Sequence, residues 1–211
     1  FLPNARQLSE RRARGEGLTR PELAVLLSYA KLHFYQQIKD SKMVKADYFI
    51  PELLRYFPDE MQEQFREEIL NHRLRAPIIA TMITNSVINR AGITFAHQVI
   101  EELGVHPCDV ARAYVISRDA FRLREIWANI EDLTGKVSAQ LQAEMFIQVQ
   151  EFLGHKVRWF LENCSEPINI QQTMRDYAEG IAKFAECFEG LMSKTLRRSY
   201  ERQKTRLIDK G

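Results

Sequence analysis

Few residues in this chain stand at spacings that could do chemistry, and each has a structural explanation beside the chemical one. Gly15-Glu16-Gly17 is a G-x-G. Such a loop cradles a phosphate when a strand leads into it and a helix leads out. Here no strand pattern precedes it, and glycine just past a helix end explains it. His106-Pro107-Cys108-Asp109 sets a histidine and a cysteine two apart at a helix start. Zinc needs further ligands at close spacing, which Cys164 and Cys187 do not supply, so no metal site is expected. The structural reading is a loop histidine beside a buried thiol. Glu151 and His155 lie four apart, on one helical face, where an exposed ion pair competes with acid/base work. Glu101-Glu102 reads as a solvated pair.

The C-terminal Lys194, Arg197, Arg198, Arg202, Lys204 and Arg206 form a basic run at roughly helical spacing around Tyr200. Single-stranded nucleic acid would need several aromatic stacking platforms, and Tyr200 is the one available; Glu201 and Asp209 also interrupt the charge. A solvated face or a contact to an acidic partner surface fits better. Asn85 and Asn89 continue the spacing of Ile78 and Met82 along one helix, with Arg90 beside them. Two amides on a core stripe need hydrogen-bond partners, since an unmatched buried polar group costs about 1–3 kcal/mol. They either tie down a neighbouring loop or helix end, or, with Arg90, meet a partner domain.

Positioning all of these are helices. Apolar residues recur at helical spacing almost throughout, sustained strand alternation is absent, and the expected class is all-α, an irregular multi-helix bundle with short loops. Helices are expected over 3–14, 19–40, 59–71, 75–91, 94–104, 107–132 (kinked near Ser117) and 138–163, with a turn over 52–57. One or two more follow over 169–208, with Gly180 and Gly190 as breaks. Thr19 three residues before Glu22, with Pro21 in the first turn, writes a capping box. Thr94 is read as another cap. The stripe Leu23, Leu27, Ala30, Phe34, Ile38 should face the core, as should Met61, Phe65 and Ile69. Leu27, Phe34, Ile79, Ile83, Trp127 and Trp159 are expected to be buried.

Lys plus Arg number 30 against 28 Asp plus Glu, a formal charge of +2 in 211 residues. That balance argues against a nucleic-acid or membrane surface. Three scattered cysteines and no CxxC suit a reducing, cytoplasmic setting. No apolar run approaches the roughly 20 residues of a membrane span. No signal peptide is expected, and the non-Met start reads as a piece of something longer.

Long ordered blocks carry a resemblance. LSERRARGEGLTRPELAVLLSYAK over 8–31, RYFP over 55–58, HRLRAPIIATMITNSVINRAGITF over 72–95, DVARAYVISRDAFRLREIWANIEDL over 109–133 and RWFLEN around Trp159 resemble the C-terminal helical region of the large bacterial NAD-specific glutamate dehydrogenases. The likeness runs from about 8 to 163 and is looser after Cys164, which suggests a helical domain over 1–163 and a helical extension over 164–211 packed on it. The resemblance implies a parent that oxidises L-glutamate to 2-oxoglutarate and ammonium with NAD. It implies an upstream catalytic domain in the same chain and a homo-oligomer. The family's catalytic lysine and aspartate and its nucleotide-binding motif match no position here, so no catalytic or cofactor residue is assigned and no NAD is expected on this fragment. Without the resemblance, the alternative is a stand-alone helical interaction module.

Overall fold

A computed structural model describes residues 4–194, 197–198, 200–202 and 205. Every regular element among them is a helix. The chain forms two compact units, residues 1–98 and 99–211. The expected boundary at 163/164 lies inside the second unit.

The first unit opens with α1, Ala5–Ala13, capped by Asn4. Gly15, at φ 70°, donates its N–H to Arg12 O and Glu16 donates to Arg11 O. Those two bonds are the helix-stop pattern that glycine permits, so the G-x-G ends a helix. Helix α2, Arg20–Lys39, starts at the expected capping box: Thr19 accepts from the Glu22 N–H while the Glu22 carboxylate accepts from the Thr19 N–H. Two short 3-10 turns, Met43–Lys45 and Asp47–Phe49, lead into α3, Ile50–Leu54, where Glu52 is buried and paired with Arg55.

The expected helix over 59–71 is two short ones, α4 Asp59–Gln64 and α5 Arg66–Leu70. Phe65 between them leaves helical geometry at φ −118°, ψ 32°. The predicted stripe is broken with it: Ile69 is buried, whereas Met61 and Phe65 are exposed. Helix α6, Arg75–Arg90, is the spine of this unit, with α2 and α3 packed on it. Its buried side carries Ile79, Ile83 and Val87, flanked by Ile78, Ala80 and Thr84. Phe34, Ile38, Phe49, Leu53 and Ile69 complete this core. Helix α7, Ile93–Leu103, follows Gly92 and contains the unit boundary; Thr94 lies within it rather than capping it.

In the second unit the centre is α8, Pro107–Ala120, which is buried along nearly its whole length. Helix α9, Leu123–Glu131, α10, Ala139–Asn163, and α11, Ile170–Leu191, all pack against it or its neighbours. The expected kink at Ser117 is instead a full break five residues later, where Arg122 takes a left-handed φ of 52°. Ser117 stays helical, donating its hydroxyl to Ala113 O. Gly180 does not interrupt α11, where a helical glycine costs only about 1 kcal/mol against alanine, whereas Gly190 lies one residue before the helix ends at Leu191. Of the expected continuation to 208, the described residues 194, 197–198, 200–202 and 205 are helical, and the others after 194 lie outside the described residues.

Four of the six residues expected in the core, Phe34, Ile79, Ile83 and Trp127, are buried. Leu27 is half-buried, and Trp159 is 41% exposed. Trp159 points along the outer side of α10 and stacks edge-on against Phe160 and Tyr177. Its neighbours Val157 and Phe160, one turn of the same helix, take the core positions instead.

Candidate functional site

Glu22 is the most constrained carboxylate among the groups singled out by sequence. It accepts from Arg11 at 2.7 Å and from the Thr19 N–H at 2.8 Å. The Arg11 hydrogen bond, followed by those from Thr19, holds its pKa down to about 2. A carboxylate held ionised this firmly is a poor proton acceptor, and its role is to lock α1 onto the start of α2.

His106 is the N-cap of α8: its Nδ1 accepts from the Cys108 N–H at 3.1 Å, and Pro107 fills the first turn. The four residues 106–109 therefore build a helix start. Among the described residues there is no group of three or more His, Cys, Asp or Glu side chains able to hold a metal. Cys108 is buried behind the cap.

Asp109 does something that no local spacing announced. It is buried, accepts from Arg112 at 2.8 Å, and accepts from the backbone N–H of Ile168 at 3.0 Å, 59 residues away. One carboxylate thus joins the start of α8 to the loop that leads into α11. Arg118 was also missed. Its side chain is 2% exposed, grips both carboxylate oxygens of Asp119 and lies over the Tyr114 ring. The only sequence signal for either would have been a charge inside an apolar helix.

Glu151 and His155 are both exposed on α10, and Glu151 accepts from Gln148. Lys194, Arg197, Arg198 and Arg202 are exposed; Lys204 and Arg206 lie outside the described residues. A cavity of about 230 Å³ beside them is lined by Gly190, Met192, Arg197, Tyr200 and Glu201. It is smaller than the roughly 300–1,000 Å³ of ordinary ligand pockets. Cys164 is half-buried, and burial pushes its thiol pKa up, with Thr173 as a hydrogen-bond partner opposing that. A raised thiol pKa disfavours the nucleophilic thiolate.

Asn85 and Arg90 are half-buried and Asn89 is exposed. They run along the flank of α6, a step round from Ile79, Ile83 and Val87. The core stripe itself therefore stays apolar to the end of the helix, and the amides border it.

Gly15, Glu22, His106 and Asp109 are spent on caps, helix stops and ties between helices. Large apolar side chains left at the surface are the other distinctive feature: Leu23, Leu26, Tyr29 and Leu32 on α2, and Ile147, Phe152 and Trp159 on α10. The chemistry this favours is association.

Comparison with known proteins shows the family. Residues 15–211 match the family described as glutamate dehydrogenase, C-terminal. The chain is 34% identical over 88% of its length to an NAD-specific glutamate dehydrogenase of Halomonas elongata, of which it covers 12%. It is 31% identical over its whole length to the enzyme of that name from Pseudomonas aeruginosa, covering 13% of it. A third relative of the same name, from Mycobacterium tuberculosis, is 31% identical over 84% of the chain. The chain spans about an eighth of the length of these curated relatives.

Proposed function

This chain belongs to the glutamate dehydrogenase C-terminal family, and from that membership we propose that it is the non-catalytic helical domain of a larger NAD-dependent glutamate dehydrogenase. The parent would oxidatively deaminate L-glutamate to 2-oxoglutarate and ammonium, with NAD bound in its upstream catalytic domain. The observation that carries the reading is the pairing of a match along nearly the whole chain with coverage of only 12–13% of the relatives. A dinucleotide site of the Rossmann type is built on parallel strands, whereas the regular elements described here are helices.

The domain's work is structural or regulatory: it supports assembly with the upstream catalytic domain, in a homo-oligomer in the cytoplasm. No helix among the described residues is long and apolar enough to cross a membrane. Asn85, Asn89 and Arg90 are proposed as one interdomain contact; their partial solvation beside an apolar stripe supports this, since interdomain surfaces are more polar than cores. Residues 1–163 carry the family blocks and 164–211 extend them. The bond from Ile168 N–H to Asp109 and the packing of α11 on α8 support an extension lying on residues 99–163.

The test compares the full-length polypeptide with the 211-residue chain. The full-length protein should reduce NAD with L-glutamate, and the isolated chain should show neither turnover nor saturable NAD binding by calorimetry. Micromolar NAD binding to the isolated chain would overturn the reading.

A further inference from the structure

Helix α2 has the composition of a helix covered on more than one side. From Leu23 to Ala30 it carries no charged residue, and Leu23, Val25, Leu26, Leu27, Tyr29 and Leu32 together go most of the way round it. A helix that is apolar nearly all round is normally buried. Within residues 1–98, α2 buries Phe34 and Ile38 in its second half, where it packs on α6. Another side of it is left open: Leu26 is 44% exposed, Tyr29 61% and Leu32 60%. With Leu23 these residues are spaced by three, one of the ridges that interlock with the groove of another helix. Adjacent exposed apolar side chains of this kind mark interaction surfaces.

We propose that the ridge Leu23–Leu26–Tyr29–Leu32 seats the preceding part of the same polypeptide, the catalytic portion of the parent; this rests on the functional reading above. Two observations select that occupant. The matched family is described as a C-terminal one and the relatives are about eight times as long as this chain, which favours a parent whose bulk precedes α1 and α2. The start of α2 is also fastened to α1 through Arg11 and Glu22, which holds the ridge in place beside the point where that mass would join. A segment tethered there sees the ridge at an effective concentration in the millimolar range, which a second copy reaches only at comparable protein concentration.

The experiment uses the full-length polypeptide. Leu26→Cys and Tyr29→Cys are labelled with a maleimide and read by site-resolved mass spectrometry. Each should react at least about tenfold more slowly in the native protein than in denaturant, since a covered thiol reacts only through local opening. A photo-reactive benzoylphenylalanine in place of Leu32 should cross-link to peptides preceding α1 in the same molecule. Labelling as fast as in denaturant overturns the proposal. So do cross-links confined to residues 1–211, or cross-links between heavy- and light-isotope copies mixed before irradiation. Dehydrogenase activity is assayed on the same samples. If it is absent while the cross-links are present, the functional reading fails and the docking stands; if it is present while the ridge labels freely, the docking alone fails.

Discussion

Arg11 reaches across a glycine stop to the Glu22 carboxylate, 2.7 Å away, so one ion pair ties the last turn of α1 to the capping box of α2. The two residues are eleven apart in sequence, and the pair depends on Gly15 taking its left-handed turn. Because Glu22 titrates near 2 instead of its ordinary 4.5, the folded state favours its ionised form. Its stabilising contribution is complete above the ordinary value and is lost as pH falls from about 4.5 through 2. Glu22→Gln should destabilise the chain at neutral pH and flatten its acid unfolding over that window. Urea midpoints measured across the acid range check this; an unchanged acid limb would sink it.

Thr19→Ala removes the other half of the same capping box. It should cost about 1 kcal/mol, the usual worth of an N-cap side chain. Thermal unfolding measures the loss, and Thr19→Ser should recover most of it.

Asp109→Ala strips the partner from Arg112 and from the Ile168 N–H, both of which then lie near or within the core unpaired. Breaking a buried pair from one side costs about 3–5 kcal/mol. Hydrogen exchange adds a specific readout: the Ile168 amide, 59 residues away, should lose protection first. Unchanged exchange there would show that the tie does not hold the loop.

Thiol reactivity should follow burial and pKa. Cys187 is exposed, Cys164 is half-buried with a raised pKa, and Cys108 is buried. Iodoacetamide at mildly alkaline pH should modify them in that order, with Cys108 reacting only on unfolding. Equal rates for Cys108 and Cys187 would contradict the placement of α8 at the centre of its unit.

Phe34→Ala should cost about 3–5 kcal/mol as a filled core position is emptied. Asn85→Ala with Asn89→Ala should leave the isolated chain within about 1 kcal/mol of its parent, as surface changes do. The same double change should weaken activity or assembly of the full-length enzyme. A core-sized loss in the isolated chain would make the amides internal ties instead.

Local signals were readable because their partners lie within one turn. Thr19 and Glu22 are three residues apart, Gly15 follows the helix it stops, and Pro107 opens α8 beside its cap. Such features specify helix starts and stops whatever surrounds them, so the helical class and most element boundaries could be derived from the residues alone. The His106 cap was within reach of the same logic, since a proline in the first turn calls for a capping group before it.

Long-range packing decided the rest. Periodicity gives a helix an apolar side but cannot say how much of that side finds a partner. On α2 the stripe is filled at Phe34 and Ile38 and bare at Leu23, and on α10 Trp159 stays outside while Val157 and Phe160 go in. Phe65 interrupts a stretch whose spacing suits one helix, and Asp109 meets an N–H that lies 59 residues on. The sequence by itself determined an all-helical chain with the Thr19 cap, the Gly15 stop and family membership, because those depend on near neighbours and on residue order. Only the tertiary structure decided which apolar faces close into cores and which remain open for a partner, because burial is set by contacts between distant segments.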